Sequence, residues 1–309
     1  MVDSPNRSAI RVGIEISSTA LNAVAIDVGD EVKRAHSVVL ADQVDIVEQV
    51  KAIVDEFQKE FGELKRLGVA IPGLVDRASG RVAFSAIVPA QSNVDLGKQI
   101  QSATGAQVVI ENDANAAAYG EYCCGAGRGS SNMFYATLGE GVGGSFIFGG
   151  KTWYGASGFA GEFGYVPINS EGMKLEDVAS SANIVRRTRA RFHQDSTSSL
   201  GKLTEEDLTL GDIISAAQSK DDFAQMMLER TGIYVGTAVA SVINLLNVEL
   251  IVLGGAIMQA RNLVLKAVIE RARELSFEPS FASTRIVEGE LGANAAAIGA
   301  ASIGGFGSD

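Results

Sequence analysis

The sequence predicts an α/β chain of two lobes, and three observations carry that prediction. Apolar runs of strand length alternate with segments of helical spacing from one end to the other. A strand, a small-residue turn and a returning strand open the chain near Ile10 and again near Asn132, a weak repeat of structure rather than of residues. At 309 residues the chain is long enough for two domains, each with its own core.

Taken in order, residues 10–16 alternate, Ser17-Ser18-Thr19 makes a polar turn, and 21–28 returns as a second strand. A third strand is expected over 32–40. Ile46, Val47, Val50, Ile53, Val54, Phe57 and Phe61 recur at helical spacing. Residues 67–71 form a short strand that ends in the turn signal Pro72-Gly73. Asp76 and Gly80-Arg81 lead into a further extended piece, a helix is expected over 95–103, and 108–110 is the last strand of this half. The second half repeats the opening: strand 133–138, a glycine-rich turn 139–144, and a return over 145–148 closed by Gly149-Gly150. Helices are expected over 182–192, 210–217, 222–230 and 233–246. A strand over 250–253 runs into Gly254-Gly255. A helix over 261–275, a strand near 285–287 and a small-residue helix over 293–303 complete the chain. The Ser/Thr-rich stretch 194–206 reads as an exposed loop.

Hydrophobic residues are 46% of the chain and charged residues 20%, the composition of a soluble globular protein. The net charge of 26 − 37 = −11 disfavours a sequence-independent nucleic-acid face. The segment Met1–Arg7 lacks the apolar core of a signal peptide, and no apolar run approaches the ~18 residues of a membrane span. The two cysteines, Cys123 and Cys124, are adjacent and read as small buried thiols on a helix, which fits a cytoplasmic location.

The chemistry centres on Glu111-Asn112-Asp113, where a buried strand runs straight into an Ala-rich helical segment. A carboxylate there sits beside unpaired backbone N–H groups, at the edge where open α/β sheets bind ligands. The competing reading is that Asp113 merely caps the helix. Glycine turns on either side favour a ligand. Backbone N–H groups can approach an oxyanion closely there, and the pair Gly254-Gly255 leaves backbone free to lie against an adenosine.

At this point the sequence resembles the ROK family (repressors, open reading frames and kinases) of the actin-like, ribonuclease H-like superfamily. The likeness runs from about Ile10 to Ile303. Its marks are residues 111–117 (Glu-Asn-Asp-Ala-Asn-Ala-Ala), 155–164 (Gly-Ala-Ser-Gly-Phe-Ala-Gly-Glu-Phe-Gly), Val252-Leu253-Gly254-Gly255, and the Gly/Ala-rich run 292–301. The resemblance implies two lobes, 10–120 with a returning helix 293–306 and 121–292, and a cleft between them that holds a sugar and ATP. It implies a glucokinase-like transferase in which Asp113 is the general base and Mg²⁺ accompanies ATP. Asn112, Glu162 and Glu176 then fall on sugar-binding positions, with Gly80 and Arg81 beside them. Glu15, Ser17, Ser18 and Thr19 fall on the first phosphate turn, and Gly139, Glu140, Gly141 and Gly143 on the second, with Gly254 and Gly255 toward the nucleoside. Homodimers are common in the family.

Departures from the family pattern limit the inference. Where an Asp-x-Gly-Gly-Thr turn is usual, this chain has Glu15-Ile16-Ser17-Ser18-Thr19, small residues whose hydroxyls can donate. In the second turn a Thr becomes Glu140, and like charges ~4 Å apart cost about 4 kcal/mol at an effective dielectric of 20. The His and Cys-x-Cys-Gly-x-x-Gly-Cys zinc motif is missing from 165–176, so no zinc is expected. The DNA-binding branch needs a helix-turn-helix domain ahead of the first strand, and only nine residues precede Ile10. The expectation is therefore phosphorylation of a hexose or N-acylhexosamine by ATP. The alternative is a phosphotransfer-impaired sugar sensor of the same family.

Overall fold

The same hairpin opens two separate sheets. The computed structural model describes residues 10–41, 44–191, 197–204 and 206–305. Its chain divides into two units, each with its own buried apolar cluster. One is formed within Met1–Gly129, Lys151–Ala160 and Ala293–Asp309, the other by Ser130–Gly150 and Gly161–Gly292. The Met1–Arg7 segment and parts of the 194–206 loop lie outside the described residues.

In the first unit β1 (Arg11–Ile16), β2 (Ala20–Ile26) and β3 (Val32–Val39) form an antiparallel meander. There follow α1 (Ile46–Phe61), β4 (Arg66–Ile71), the small hairpin β5 (Leu74–Asp76) and β6 (Arg81–Phe84), α2 (Leu96–Thr104), β7 (Gln107–Asn112) and α3 (Asp113–Cys124). The sheet order is β3-β2-β1-β4-β7, with β1, β4 and β7 parallel. Val12, Ile14 and Ile16 of β1 pack with Val50, Ile53, Val54 and Phe57 of α1, the apolar stripe whose spacing predicted that helix.

The second unit starts with β8 (Asn132–Leu138) and β9 (Val142–Phe148), paired antiparallel. The chain then runs through β10 (Lys151–Trp153), in the first unit's stretch, to α4 (Glu176–Ala179), α5 (Ser181–Arg189), α6 (Leu210–Gln218), α7 (Asp222–Leu246), β11 (Leu250–Gly254), α8 (Asn262–Leu275), α9 (Glu278–Ala282) and β12 (Arg285–Glu288). Within this unit the order is β9-β8-β11-β12, with β8, β11 and β12 parallel. That is the connectivity of β2-β1-β4-β7 again. The repeat read from the sequence is one of topology.

Finally α10 (Ala295–Gly305) returns to the first unit and covers the other face of β1 and β4. Its small residues let backbones touch. A Cβ at Gly13 would lie 2.0 Å from the Ala297 carbonyl oxygen, which leaves no room for any side chain.

Two expectations are corrected. The glycine-rich turn ends at Gly141, because β9 begins at Val142 and pairs Gly143 and Gly144 with Thr137 and Ala136. The helices expected over 222–230 and 233–246 are one 25-residue helix, α7. Gly232 costs about 1 kcal/mol in helix propensity, but it lets α7 lie against α8, where a Cβ would sit 2.7 Å from the Val264 oxygen. Packing overrides the local signal.

Candidate active site

The carboxyl ends of β1, β4 and β7 come into line, with Glu15, Ala70 and Glu111 in register across the sheet. Two strand spacings, about 10 Å, separate the backbones of Glu15 and Glu111. The turn after β1, the Pro72-Gly73 turn after β4 and the start of α3 after β7 therefore share one edge, the edge where ligands bind in such sheets.

Strand β7 passes into α3 without a loop. Asn112, not Asp113, caps the helix: its side-chain oxygen accepts from the Asn115 N–H at 3.0 Å. The Asn112 Nδ2 donates to the Gly73 carbonyl and to Asp113 Oδ1, each at 3.0 Å. Asp113 is the first helical residue, half-buried at a helix N-terminus, where the peptide dipoles favour an anion. The capping role that competed for Asp113 thus belongs to its neighbour.

Behind this pair lies Glu111, part of the same sequence motif but without a role of its own there. It is 1% exposed, and four donors surround its carboxylate. Oε1 accepts from the Asn112 N–H at 3.0 Å and Asn115 Nδ2 at 3.2 Å. Oε2 accepts from the Tyr154 hydroxyl at 2.9 Å and pairs with Arg77 Nε at 2.8 Å. The Arg77 guanidinium also stacks over the Tyr154 ring, 4.4 Å from its centroid. Burial and the Glu111 charge hold the Tyr154 hydroxyl well above the usual phenol range, so it stays protonated and donates. The available signal was a charged residue at the end of an apolar strand, but its partners are far away in the chain.

The first turn uses its own polar groups. Ser17 Oγ donates to the Ala20 carbonyl at 3.0 Å and accepts from the Thr19 and Ala20 N–H groups. Its hydroxyl proton is thereby spent inside the turn, contrary to the expectation of a free donor, whereas Thr19 is exposed. Glu15, half-buried, accepts from Asn22 Nδ2 at 3.0 Å. Gly80 has φ +69° and its carbonyl accepts from the Gly97 N–H at 3.1 Å. Arg81 is exposed and donates to the Asn93 side chain at 3.1 Å.

In the second unit the ends of β8 and β11 lie side by side, with Thr137 opposite Gly254. Glu140 is exposed at the turn, where water screens its charge. Glu176 opens α4, and its Oε2 accepts from the Val142 N–H at 2.9 Å, tying that helix to the turn. Glu162 keeps solvent contact, yet partial burial, and then the charge of Glu176, push its carboxyl above the usual range. Gly254 and Gly255 answer first to packing: a Cβ would meet the Tyr135 hydroxyl at 2.2 Å or the Leu138 oxygen at 2.4 Å, and Gly255 has φ +91°.

Between Glu162 and Glu176 the chain forms a hairpin. Ile168 N–H donates to the Met173 carbonyl at 2.9 Å, and Leu175 N–H to that of Val166 at 3.0 Å. Asn169 Oδ1 closes the turn by accepting from the Met173 N–H at 2.9 Å. Among the described residues no group of three His, Cys, Asp or Glu side chains is arranged to hold a metal ion. No described helix is long and apolar enough to cross a membrane.

Two sheets of one connectivity, each ending in small-residue turns, define an α/β protein of the actin-like ATPase fold. A ROK family glucokinase from Streptomyces griseus, solved with glucose and AMPPNP, superimposes with a TM-score of 0.86 at 26% identity, over 96% of this chain and 100% of that one. The chain belongs to the ROK family, whose pattern matches residues 11–304. It is 34% identical over 252 residues to a glucokinase of Thermotoga maritima (78% of this chain, 79% of the relative). It is 33% identical over 258 residues to a glucokinase of Halalkalibacterium halodurans (78% and 76%).

Proposed function

We propose that this chain transfers the γ-phosphoryl group of ATP to a hydroxyl of a hexose or N-acylhexosamine, with Asp113 as the general base. The observation that carries the reading is Asp113 at the strand-to-helix junction, its Oδ1 held by the Asn112 amide. The glucokinase relatives, one of them bound to glucose and AMPPNP, support it. The sugar hydroxyl gives its proton to Asp113 as its oxygen attacks phosphorus, and ADP leaves with the bridging oxygen. Asn112, Glu162 and Glu176, with Gly80 and Arg81, are assigned to the sugar, whose hydroxyls both donate and accept.

The phosphate turns fit ATP unequally. Ser18, exposed Thr19 and the carboxylate of Glu15 suit a phosphate chain with its magnesium ion. In the other turn the Val142 N–H is already taken by Glu176, and Glu140 adds a negative charge. Gly139 and Gly141 of the turn and Gly143 of β9 are assigned to the phosphates, with Gly254 and Gly255 assigned to the nucleoside. Mg²⁺, when bound, neutralises charge on the phosphates. A homodimer in the cytoplasm is part of the same reading, on family likeness.

Replacing Asp113 by Asn tests it. Coupled measurement of ADP should show kcat falling by roughly 10²–10⁴-fold while calorimetric sugar affinity stays within about twofold. Equal turnover by variant and parent removes Asp113 from the mechanism. The occupied Val142 N–H and Glu140 favour a second reading, a sugar sensor without phosphotransfer. A thermal-shift panel of hexoses and amino sugars, with and without Mg-ATP, separates the two: the sensor responds to sugar alone.

A further inference from the structure

Glu111 is one residue from the cap of α3 and two from its first carboxylate, yet no role has fallen to it so far. Burying a charge is costly unless it is paired and hydrogen-bonded. Here every acceptor direction is filled: two donors from the start of α3 on Oε1, and Tyr154 and Arg77 on Oε2. The donors come from three separate stretches of the first unit, the β5–β6 hairpin, the β7–α3 junction and the segment after β10. The Asn112 N–H and the Asn115 side chain bind one Glu111 oxygen, and the Asn115 N–H binds the Asn112 side chain. That side chain in turn holds Asp113 Oδ1. The chain of contacts ends on the Gly73 carbonyl and on the Asp113 carboxylate, and of these two only Asp113 can take a proton.

We propose that Glu111, held by Arg77 and Tyr154, is a positioning residue for the reaction: it fixes the Asn112–Asn115 turn so that Asp113 meets the sugar hydroxyl in one orientation. This role rests on the kinase reading above. Its geometry does not rest on the charge of Glu111 alone. The Arg77 guanidinium lies over the Tyr154 ring, so the cation and the phenol brace each other as well as the carboxylate. Lysine at position 77 would keep the charge and lose both the stack and the fixed Nε–H.

The test uses the full-length protein and five variants: Glu111→Gln, Tyr154→Phe, Arg77→Lys, Asp113→Asn, and Glu111→Gln combined with Asp113→Asn. Glutamine keeps the size of Glu111 but turns one acceptor into a donor facing other donors. Glu111→Gln is expected to lower kcat about tenfold or more, with the KM for sugar within about twofold. Tyr154→Phe and Arg77→Lys should each lower kcat by a smaller factor, in the same direction. In the Asp113→Asn background, adding Glu111→Gln should change the residual rate by less than about twofold, since the group it positions is already gone.

Any of the following results overturns the proposal. An active parent whose Glu111→Gln variant keeps its kcat removes Glu111 from the reaction. Losses that multiply in the double variant, or a rise in sugar KM that matches the fall in kcat, make Glu111 a general structural residue. A parent that makes no ADP with any sugar refutes the kinase reading itself, and this role with it. Melting temperature, read on every variant, shows whether a fall in kcat is only loss of folded protein.

Discussion

The side-chain amide of Asn112 donates to Asp113 Oδ1 across 3.0 Å while its own oxygen caps α3. One residue therefore serves stability and positioning through different atoms, and substitution can separate them. Asn112→Ala loses both; its missing cap costs ~1 kcal/mol of stability. Asn112→Ser keeps an oxygen for the cap but has no N–H₂ to reach Asp113 and Gly73. Serine is expected to restore the melting temperature of the alanine variant most of the way to the parent's. Its kcat stays down about tenfold, the value of ~1.5 kcal/mol for a hydrogen bond to a charged group. Recovery of kcat together with stability would show that the Asn112–Asp113 contact is incidental.

Glu140 is the departure that most threatened nucleotide binding, and the structure reduces the threat. An exposed carboxylate ~4 Å from a phosphate costs about 1 kcal/mol at the dielectric of water rather than about 4. Glu140→Thr should then lower the KM for ATP roughly fivefold, with kcat nearly unchanged. The gain should shrink in high salt, where surface charges are screened. No change at any salt concentration would mean that the side chain points away from the nucleotide.

Glu162 predicts a pH dependence of stability. Partial burial and Glu176 raise its carboxyl in the folded state, so the folded chain holds that proton more tightly than the unfolded chain does. As pH rises through the carboxylate range the unfolded state releases its proton first, and stability falls until the folded group has ionised too. Glu162→Gln removes the penalty. The variant should melt above the parent at neutral pH, and the gap should close near pH 4. A gap that is constant with pH would assign the effect to packing.

Cys123 and Cys124 are free thiols on α3; Cys124 is buried as expected, whereas Cys123 is only half-buried. Burial pushes the Cys123 thiol up to about 11 and raises Cys124 as well. At pH 8 only about one Cys123 in a thousand is then the reactive thiolate. Labelling of the folded protein by a small aromatic disulfide should run at least about a hundredfold slower than in denaturant. Fast labelling of one thiol per chain would show that α3 opens locally.

Local order was legible where one residue pattern sufficed. The spacing of Val50, Ile53, Val54 and Phe57 gave α1, and the apolar run into Glu111-Asn112-Asp113 gave the strand-to-helix junction. What escaped depends on contacts between distant stretches. Gly232 looks like a helix stop until α8 lies against it, and Gly143 and Gly144 look like turn until Thr137 and Ala136 pair with them. No role of its own can be read for Glu111 in the sequence, because Tyr154, 43 residues away, and Arg77 reach it only in the folded chain. Likewise the sequence alone does not show that Gly254 is held to glycine by Tyr135, whose hydroxyl a Cβ there would meet at 2.2 Å.

The hairpin between Val166 and Leu175 bears on metal content. In a zinc motif, metal–thiolate bonds hold such a connection, and chelators unfold it. Here backbone hydrogen bonds, the Asn169 side chain and Gly172 at φ +79° shape the turn. Purified protein is expected to carry no stoichiometric zinc, and its melting temperature should not respond to a chelator. Gly172→Ala, by contrast, forces a Cβ into left-handed backbone at a cost of ~1 kcal/mol, a drop of about 2–4 °C. Because Glu176 follows directly and holds the Val142 N–H, the same variant should also raise the KM for ATP or sugar. One zinc per chain, with melting sensitive to chelation, would mean that the connection is held by ligands this hairpin does not have.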